Sequence, residues 1–448
     1  MKLNFFIKKI TGFLFLILAA GAIFAQSISK KQDIAVFPLS YYGWTIPEIL
    51  YEGIDAEIMR NFFALERFNI IAMEHRFSAL DLETFNAAII KSRETDTPIP
   101  EEVLMGHESF TRTDWEKTVN AYYIIVPIVQ SYTLKIIEEE NNDDENPYGE
   151  PVFTYKVKFS VEFHIYSMQK KNKIAYFVIE EKASSKNLEE ALNSAITFFG
   201  IKFERALRGI EDFRIKTGVI KTEKNNVHFE LGNDIGVKKG DEYVVIGYDE
   251  NNNEAETGFV VVTDTEEDFS TALTLFSNRP ITIGDQLKEV PRFPVEFRIF
   301  FTGEFTLKKA GEAKSSSVFQ TGLHVSHTRG FYRFRPCYAI EAGFSSAKIS
   351  EGIPVSVLLG MEIWNTYLGK VQILPTVQIF YTSLASYNQA ERFKPYETGI
   401  KTFVHTSWLI TRDIKLGFDA GFKAGLAFKE IKGSLFRPLV GIGLTVKF

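Results

Sequence analysis

From Phe293 onward the chain alternates apolar and polar residues with a period of two, through about eight segments of roughly ten residues each. Successive side chains point to opposite faces only in a strand, so this period dictates β-structure with one apolar and one polar face. In the first segment Val295, Phe297, Ile299, Phe301, Phe305 and Leu307 share a face opposite Glu296, Arg298, Thr302 and Glu304. Phe319, Leu323 and Val325 oppose Gln320, His324 and Ser326 in the second, and Tyr332, Phe334, Tyr338, Ile340 and Phe344 oppose Arg333, Arg335 and Glu341 in the third. The seventh sets Ile414, Leu416, Phe418, Phe422, Leu426 and Phe428 against Lys415, Asp419 and Lys423, with Gly417, Gly421 and Gly425 on the polar side.

Two kinds of barrel use such strands. A soluble barrel packs the apolar face inward, whereas a membrane barrel turns it to lipid and keeps a polar interior. Glycines and charges of both signs suit a narrow interior in which Glu296, Glu304, Glu341, Glu362 and Asp419 pair with Arg298, Arg333, Arg335, Lys401, Lys415 and Lys423. Tyr332, Tyr381 and Trp408 near segment ends read as an aromatic girdle, which favours apolar-out. The connectors give a second test. Lys308 to Ser317, Ser345 to Ile353, Thr382 to Pro395 and Lys429 to Leu435 are long and alternate with the tight Thr328 to Phe331, Tyr367 to Lys370 and Thr411 to Asp413. This is the parity of a barrel entered and left from the periplasm. The final "GIGLTVKF", with Gly443, Val446 and Phe448, resembles the C-terminal strand signal of outer-membrane β-barrel proteins, which implies handling by the barrel assembly machinery.

An export signal is expected at residues 1–25. Lys2, Lys8 and Lys9 precede the apolar run Ile10 to Phe24, with a small residue, Ala25, at the cut before Gln26; the alternative is an uncleaved anchor, for which the run is short. No cysteine lies near the cut to carry lipid, so the barrel is expected to do the anchoring.

Residues 26–210 mix strand and helix periods. Ile34 to Leu39 reads as a strand, and Thr45 with Glu48 has capping-box spacing ahead of the stripe Ile46, Leu50, Ile54, Ile58 and Phe62. A strand at Phe68 to Met73, a helix through Leu80 to Ile90, a strand from Ala121 to Tyr132, a hairpin turning at Gln169 to Asn172 and a helix on Leu188, Ala191, Leu192, Ala195, Ile196 and Phe199 complete an α/β mixed-sheet domain. The order "IAVFPLS", helix, "ERFNIIAMEHR", helix, "NAYYIIVPIVQSYTL" resembles the periplasmic α/β domain of the curli secretion channel family, which implies binding rather than chemistry.

Residues 211–291 hold six short β runs broken by Gly232-Asn233-Asp234, Lys239-Gly240-Asp241 and Asn251 to Asn253, a small all-β module. Gly232, Gly236 and Gly240 are expected to supply positive φ at turns. "VHFELGNDIGVKKGDEYVVI" resembles the C-terminal barrel module of periplasmic flagellar assembly T proteins. Asp234, Asp241 and Asp249 lack calcium-loop spacing.

No chemistry is legible beyond this. The single cysteine, Cys337, excludes disulfides and cysteine-held zinc and is expected to fill space inside the barrel. His324 and His327 are three apart on a strand and so face opposite ways. The acidic run Glu138 to Glu145 reads as a solvated loop, with weak cation binding the sharper option, and a net charge of −6 gives no footprint for nucleic acid. No phosphate loop, nucleophile elbow or zinc-protease helix is present in the sequence, so no catalytic residue, metal or cofactor is expected.

The expectation is therefore multidomain: an N-terminal α/β mixed-sheet domain and a small all-β module in the periplasm, joined to a C-terminal eight-stranded antiparallel transmembrane β-barrel over residues 292–448. The expected partners are outer-membrane lipid, the assembly machinery, periplasmic or envelope proteins and a second copy of the chain. The expected role is a non-catalytic anchor for secretion or motor components; the alternatives are an oligomeric transport channel and an adhesin acting through external loops. Phe, at 41 residues, is concentrated on the outward strand positions in this reading.

Overall fold

The computed structural model describes residues 29–40, 46–76, 78–94, 101–105, 108–139, 152–248, 253–305, 317–345, 353–385, 393–427 and 434–448. The export signal, Thr45, most of the acidic run and most of the long connectors lie outside the described residues. The chain divides into two compact units, residues 30–214 with 233–236, and residues 215–232 with 237–448.

The first unit is built on a five-stranded sheet of order β2-β1-β5-β6-β7. The elements are β1 (Gln32–Val36), α1 (Glu48–Leu65), β2 (Phe68–Ala72), α2 (Leu82–Glu94), the short hairpin β3 (Glu102–Met105) and β4 (Glu108–Thr111), α3 (Arg112–Asn120), β5 (Tyr123–Glu139), β6 (Val152–Ser167), β7 (Asn172–Ser185) and α4 (Leu188–Gly209). Strand β1 runs parallel to β2 and β5, and β5, β6 and β7 form an antiparallel meander. Leu50, Ile54, Ile58 and Phe62 of α1 and Phe199, Phe203 and Leu207 of α4 bury one sheet face, while Phe85 of α2 and Trp115 of α3 bury the other.

The cap expected at Thr45 is not what the described residues show at the start of α1. Pro47 stands at the N-cap with no side-chain bond, and its ring pre-sets φ at −54°. Leu80 lies before α2 rather than in it, on a 3₁₀ turn whose first N–H groups include one held by Ser78 Oγ at 3.2 Å. The β3–β4 hairpin and α3 were not expected. Each strand has four residues, and α3 offers the core only Trp115, Thr118 and Val119, too little to mark a period.

In the second unit β8 (Lys216–Glu223), β9 (Asn226–Phe229), β10 (Glu242–Tyr248), β11 (Glu254–Thr265), β12 (Ser270–Ser277) and β13 (Gln286–Val290) close a six-stranded barrel of order β10-β11-β12-β9-β8-β13. Gly236 and Gly240 adopt φ of +78° and +88°. Gly232 does not; a Cβ there would meet the Glu266 and Glu267 backbone, so close approach, not backbone hand, requires glycine.

The rest of this unit is β14 (Val295–Phe305), β15 (Ser317–His327), β16 (Phe334–Ser345), β17 (Ile353–Ile363), the short β18 (Thr366–Leu368), β19 (Val371–Ala385), β20 (Phe393–Leu409), β21 (Ile414–Ala427) and β22 (Ser434–Lys447). Neighbours pair antiparallel, β17 pairs directly with β19, and β14 with β22, so eight strands close a barrel with β18 as an appendage.

The small barrel seats on the short-turn end of the large one. Gly330 N–H donates to the Lys239 carbonyl at 2.7 Å, Arg329 Nε to Asp241 at 2.9 Å, and Arg412 to Glu256 at 2.7 Å. Arg292, on the link between the barrels, donates to Glu242 at 2.8 Å and to Asp413 at 2.6 Å. Burial disfavours its charge, yet these two carboxylates outweigh that and hold its pKa above the ordinary arginine value. Tyr367 and Leu409 share an apolar cluster with Val244, Phe259, Val261 and Leu275 of the small barrel. Tyr332, expected in a girdle, packs against that cluster.

Candidate functional site

The period of two turns one residue of each pair inward in all eight barrel strands, and most of the inward set is polar. Among the described side chains it carries seven buried cations, Arg298, Arg335, Lys401, Lys415, Lys423, Arg437 and Lys447, and six buried carboxylates, Glu296, Glu304, Glu341, Glu362, Glu397 and Asp419. Glu242 of β10 supplies a seventh carboxylate by pairing with Lys447. Matched numbers matter here, because an unpaired charge in such a narrow interior would carry its full desolvation cost.

The charges lie in three tiers. At the short-turn end Glu296 is the hub: Lys415 Nζ donates to both its oxygens at 3.0 Å, Arg335 donates at 3.0 Å, and Lys447 lies at 3.8 Å. Arg335 also pairs with Glu362 at 3.0 Å and donates to Ser326 Oγ at 2.8 Å, while Lys415 reaches Gln372 Oε1 at 2.9 Å. In the middle Asp419 receives Arg298 at 3.1 Å and lies 2.6 Å from His405 Nδ1. Towards the far end Glu341 takes Lys401 at 2.6 Å and Lys423 at 2.9 Å; Lys423 also lies 3.5 Å from Glu304, which pairs with Arg437 at 3.2 Å, and Arg437 binds Glu397 as well.

Aromatic side chains fill the space between tiers. Phe300 and Phe380 are buried inside with Ala339 and Leu358. Lys423 Nζ stands 4.2 Å from the Phe380 ring centre, Lys401 5.2 Å from Phe300, and Arg298 5.4 Å from Phe403. Rings thus accept the cation faces that carboxylates leave over. Eight strands leave an interior just wide enough for side chains, and this one is packed with them.

Of the residues singled out from the sequence, Glu296, Arg298, Glu304, Arg335, Glu341, Glu362, Lys401, Lys415, Asp419 and Lys423 are buried in the interior. Arg333 is a correction. It lies in the bend before β16, where the alternation has not begun, and its exposed guanidinium stacks 5.4 Å from the Trp364 ring centre. Gly443 faces inward against the Arg298 stem, and Phe448 is half exposed with its ring 5.8 Å from that of Phe297. Cys337 is buried inside, its sulfur accepting from Gln378 at 3.6 Å. His324 lies inside, 3.7 Å from Glu362, whereas His327 packs beside Tyr338.

Sequence reasoning missed Glu397, Arg437, Lys447, Glu242 and the inward phenylalanines. Lys447 was readable from its alternation with Val446 and Phe448. Glu397 follows the irregularity opposite Thr382 and Ser383, which shifts the register by one and hides its face. An inward Phe300 beside an outward Phe301 looks like a break in the pattern rather than a plug.

The outward set differs in kind. Ile299, Ile340, Leu359, Ile379, Ile400, Trp408, Leu416, Leu426 and Ile442 are among its exposed members, and among the described side chains of the eight barrel strands no Asp, Glu, Lys or Arg faces outward. Among the described residues no three His, Cys, Asp or Glu side chains group as a metal site, and no helix is long and apolar enough to cross a membrane, which says nothing of a barrel.

No family model matches the chain. No curated protein matches it either. Solved structures similar to it include the hypothetical protein CT253 from Chlamydia trachomatis (11% identity, TM-score 0.24, 40% of this chain and 97% of that one) and Neisserial surface protein A (13%, 0.27, 36% and 100%). A third is the outer membrane channel DcaP of Acinetobacter baumannii (8%, 0.18, 73% and 97%). At these identities and scores the likenesses carry no functional argument.

Proposed function

We propose that this chain is an outer-membrane protein whose large barrel is a sealed anchor and whose small barrel and α/β unit work in the periplasm, holding other envelope proteins without catalysis. The observation that carries this reading is the division of the barrel wall: an outward face free of described charges, and an inward face whose charges are paired. Water would reward charge on the outside and lipid penalises it, by about 2–4 kcal/mol for a lysine or arginine at mid-depth. The short-turn end, against which the small barrel seats, is then the periplasmic end.

The packed interior and the seated small barrel favour an anchor over a channel. The α/β unit offers exposed apolar side chains near the end of the β5–β6 hairpin, Ile136, Ile137 and Phe153, as a surface for a protein partner. The external connectors that an adhesin would use fall largely outside the described residues.

Fractionation of the cell envelope followed by gels of heated and unheated samples tests the anchor. The expected result is an outer-membrane protein whose migration shifts on heating; a soluble protein without a shift overturns the reading. Planar bilayers test the seal, where large stable conductances would replace the anchor by a channel.

A further inference from the structure

Beside the junction of the two barrels an open groove of about 700 Å³ runs between the small barrel and the turns that precede β16 and follow β17. Two features set it apart from the rest of the barrel rim. Its floor carries Phe331, Phe334 and Trp364, which are 42%, 49% and 61% exposed. Over Trp364 lies Arg333, a cation outside the paired interior that forms no ion pair with a described carboxylate. The acidic residue of the groove, Asp264, is paired with Lys239 and also feels the charge of Arg333, so the two cations of the lining face one carboxylate and leave the groove with a net positive charge.

The position of these residues decides what would satisfy it. Phe334 opens β16 and Trp364 directly follows β17, so the groove lies at the level where the uncharged outer band ends. Apolar rings continuous with the band, next to an arginine at its edge, match a molecule with an acyl body and an anionic head. Arginine's planar fork suits a phosphate diester, and the Trp364 ring holds the fork in place.

We infer that the groove is a phospholipid site: Arg333 binds the headgroup phosphate of one lipid, and Phe331, Phe334 and Trp364 lie against the start of its chains. This rests on the membrane reading above and adds a specific lipid contact to it.

Native mass spectrometry of the full chain in detergent, titrated with phosphatidylglycerol, tests the site. One bound lipid is expected, with affinity falling about tenfold in Arg333→Gln, the scale of one lost charge-assisted hydrogen bond. Lys370→Gln, which changes an exposed lysine of the same barrel end outside the groove, leaves binding intact. Diacylglycerol, lacking phosphate, binds weakly, and free inorganic phosphate does not compete at the lipid's concentration. Equal binding by Arg333→Gln overturns the proposal, as does equal binding of diacylglycerol; effective competition by free phosphate replaces the lipid site by an anion site. Heat-shifted migration in the outer-membrane fraction is scored for each variant. If that shift is present and lipid binding fails, the groove assignment alone falls; if the shift is absent from the wild type, the membrane reading falls and this inference with it.

Discussion

Glu341 shows what a single inward residue does in the barrel. Its two oxygens take Lys401 and Lys423, and all three side chains are buried. Glu341→Leu would strand Lys401 and leave Lys423 only Glu304 at 3.5 Å, at a cost of about 3–5 kcal/mol, whereas exchanging all three for apolar residues removes the stranded charge and should recover most of that loss. Urea unfolding of the refolded protein in micelles checks both; a single variant as stable as the wild type would mean that the pairs contribute nothing. His164 of β6 makes a different case in the α/β unit. Burial chiefly, and Lys173 next, lower its pKa, while Glu162 and Glu83 pull the other way; Tyr166 and Tyr176 flank the ring. A lowered pKa means that the folded unit prefers the neutral ring. The stability so gained is present above the unfolded histidine value near 6.5 and is lost as pH falls through the lower folded value. Hydrogen exchange of β6 amides in the full chain, corrected for intrinsic rates, should show this loss on acidification, and His164→Gln should flatten it.

At the scale of elements the barrel strands were legible and two parts of the α/β unit were not. A strand of eleven or more residues repeats its period often enough to expose both faces, as β21 does from Ile414 to Leu426. Helix α3 and the β3–β4 hairpin bury too few side chains to leave a trace, and it is packing against rings distant in the chain, such as Phe85 on Trp115 and Phe37 on Phe110, that makes Trp115 and Phe110 core residues. The same period yields a prediction for the wall. Ile379, mid-way along β19 and 61% exposed, pairs with Leu359 and Ile400. Ile379→Arg should cost about 2–4 kcal/mol in vesicles if that face meets lipid. The measurement is the unfolding midpoint in vesicles. An unchanged value would mean that the face meets water.

For the whole second unit the decisive contact is Glu242, which receives Arg292 from the inter-barrel link and Lys447 from the last barrel strand. Glu242→Ala removes the carboxylate common to both and should loosen the small barrel by about 3–5 kcal/mol, read as faster proteolysis of residues 215–290 while the large barrel keeps its heat-shifted migration. Equal protease resistance would show that the apolar contacts around Tyr367 and Leu409 hold it alone. Sequence by itself determined the strands, their two faces and the identity of most interior charges, because a period of two is a local property written in every neighbouring pair. Only the tertiary structure decided which cation meets which carboxylate, that Phe300 and Phe380 plug the interior, that Arg333 stands outside it, and that the small barrel seats on the large one. Those outcomes depend on strand closure and on register between residues as far apart as Glu242 and Lys447, and local alternation carries no information about either.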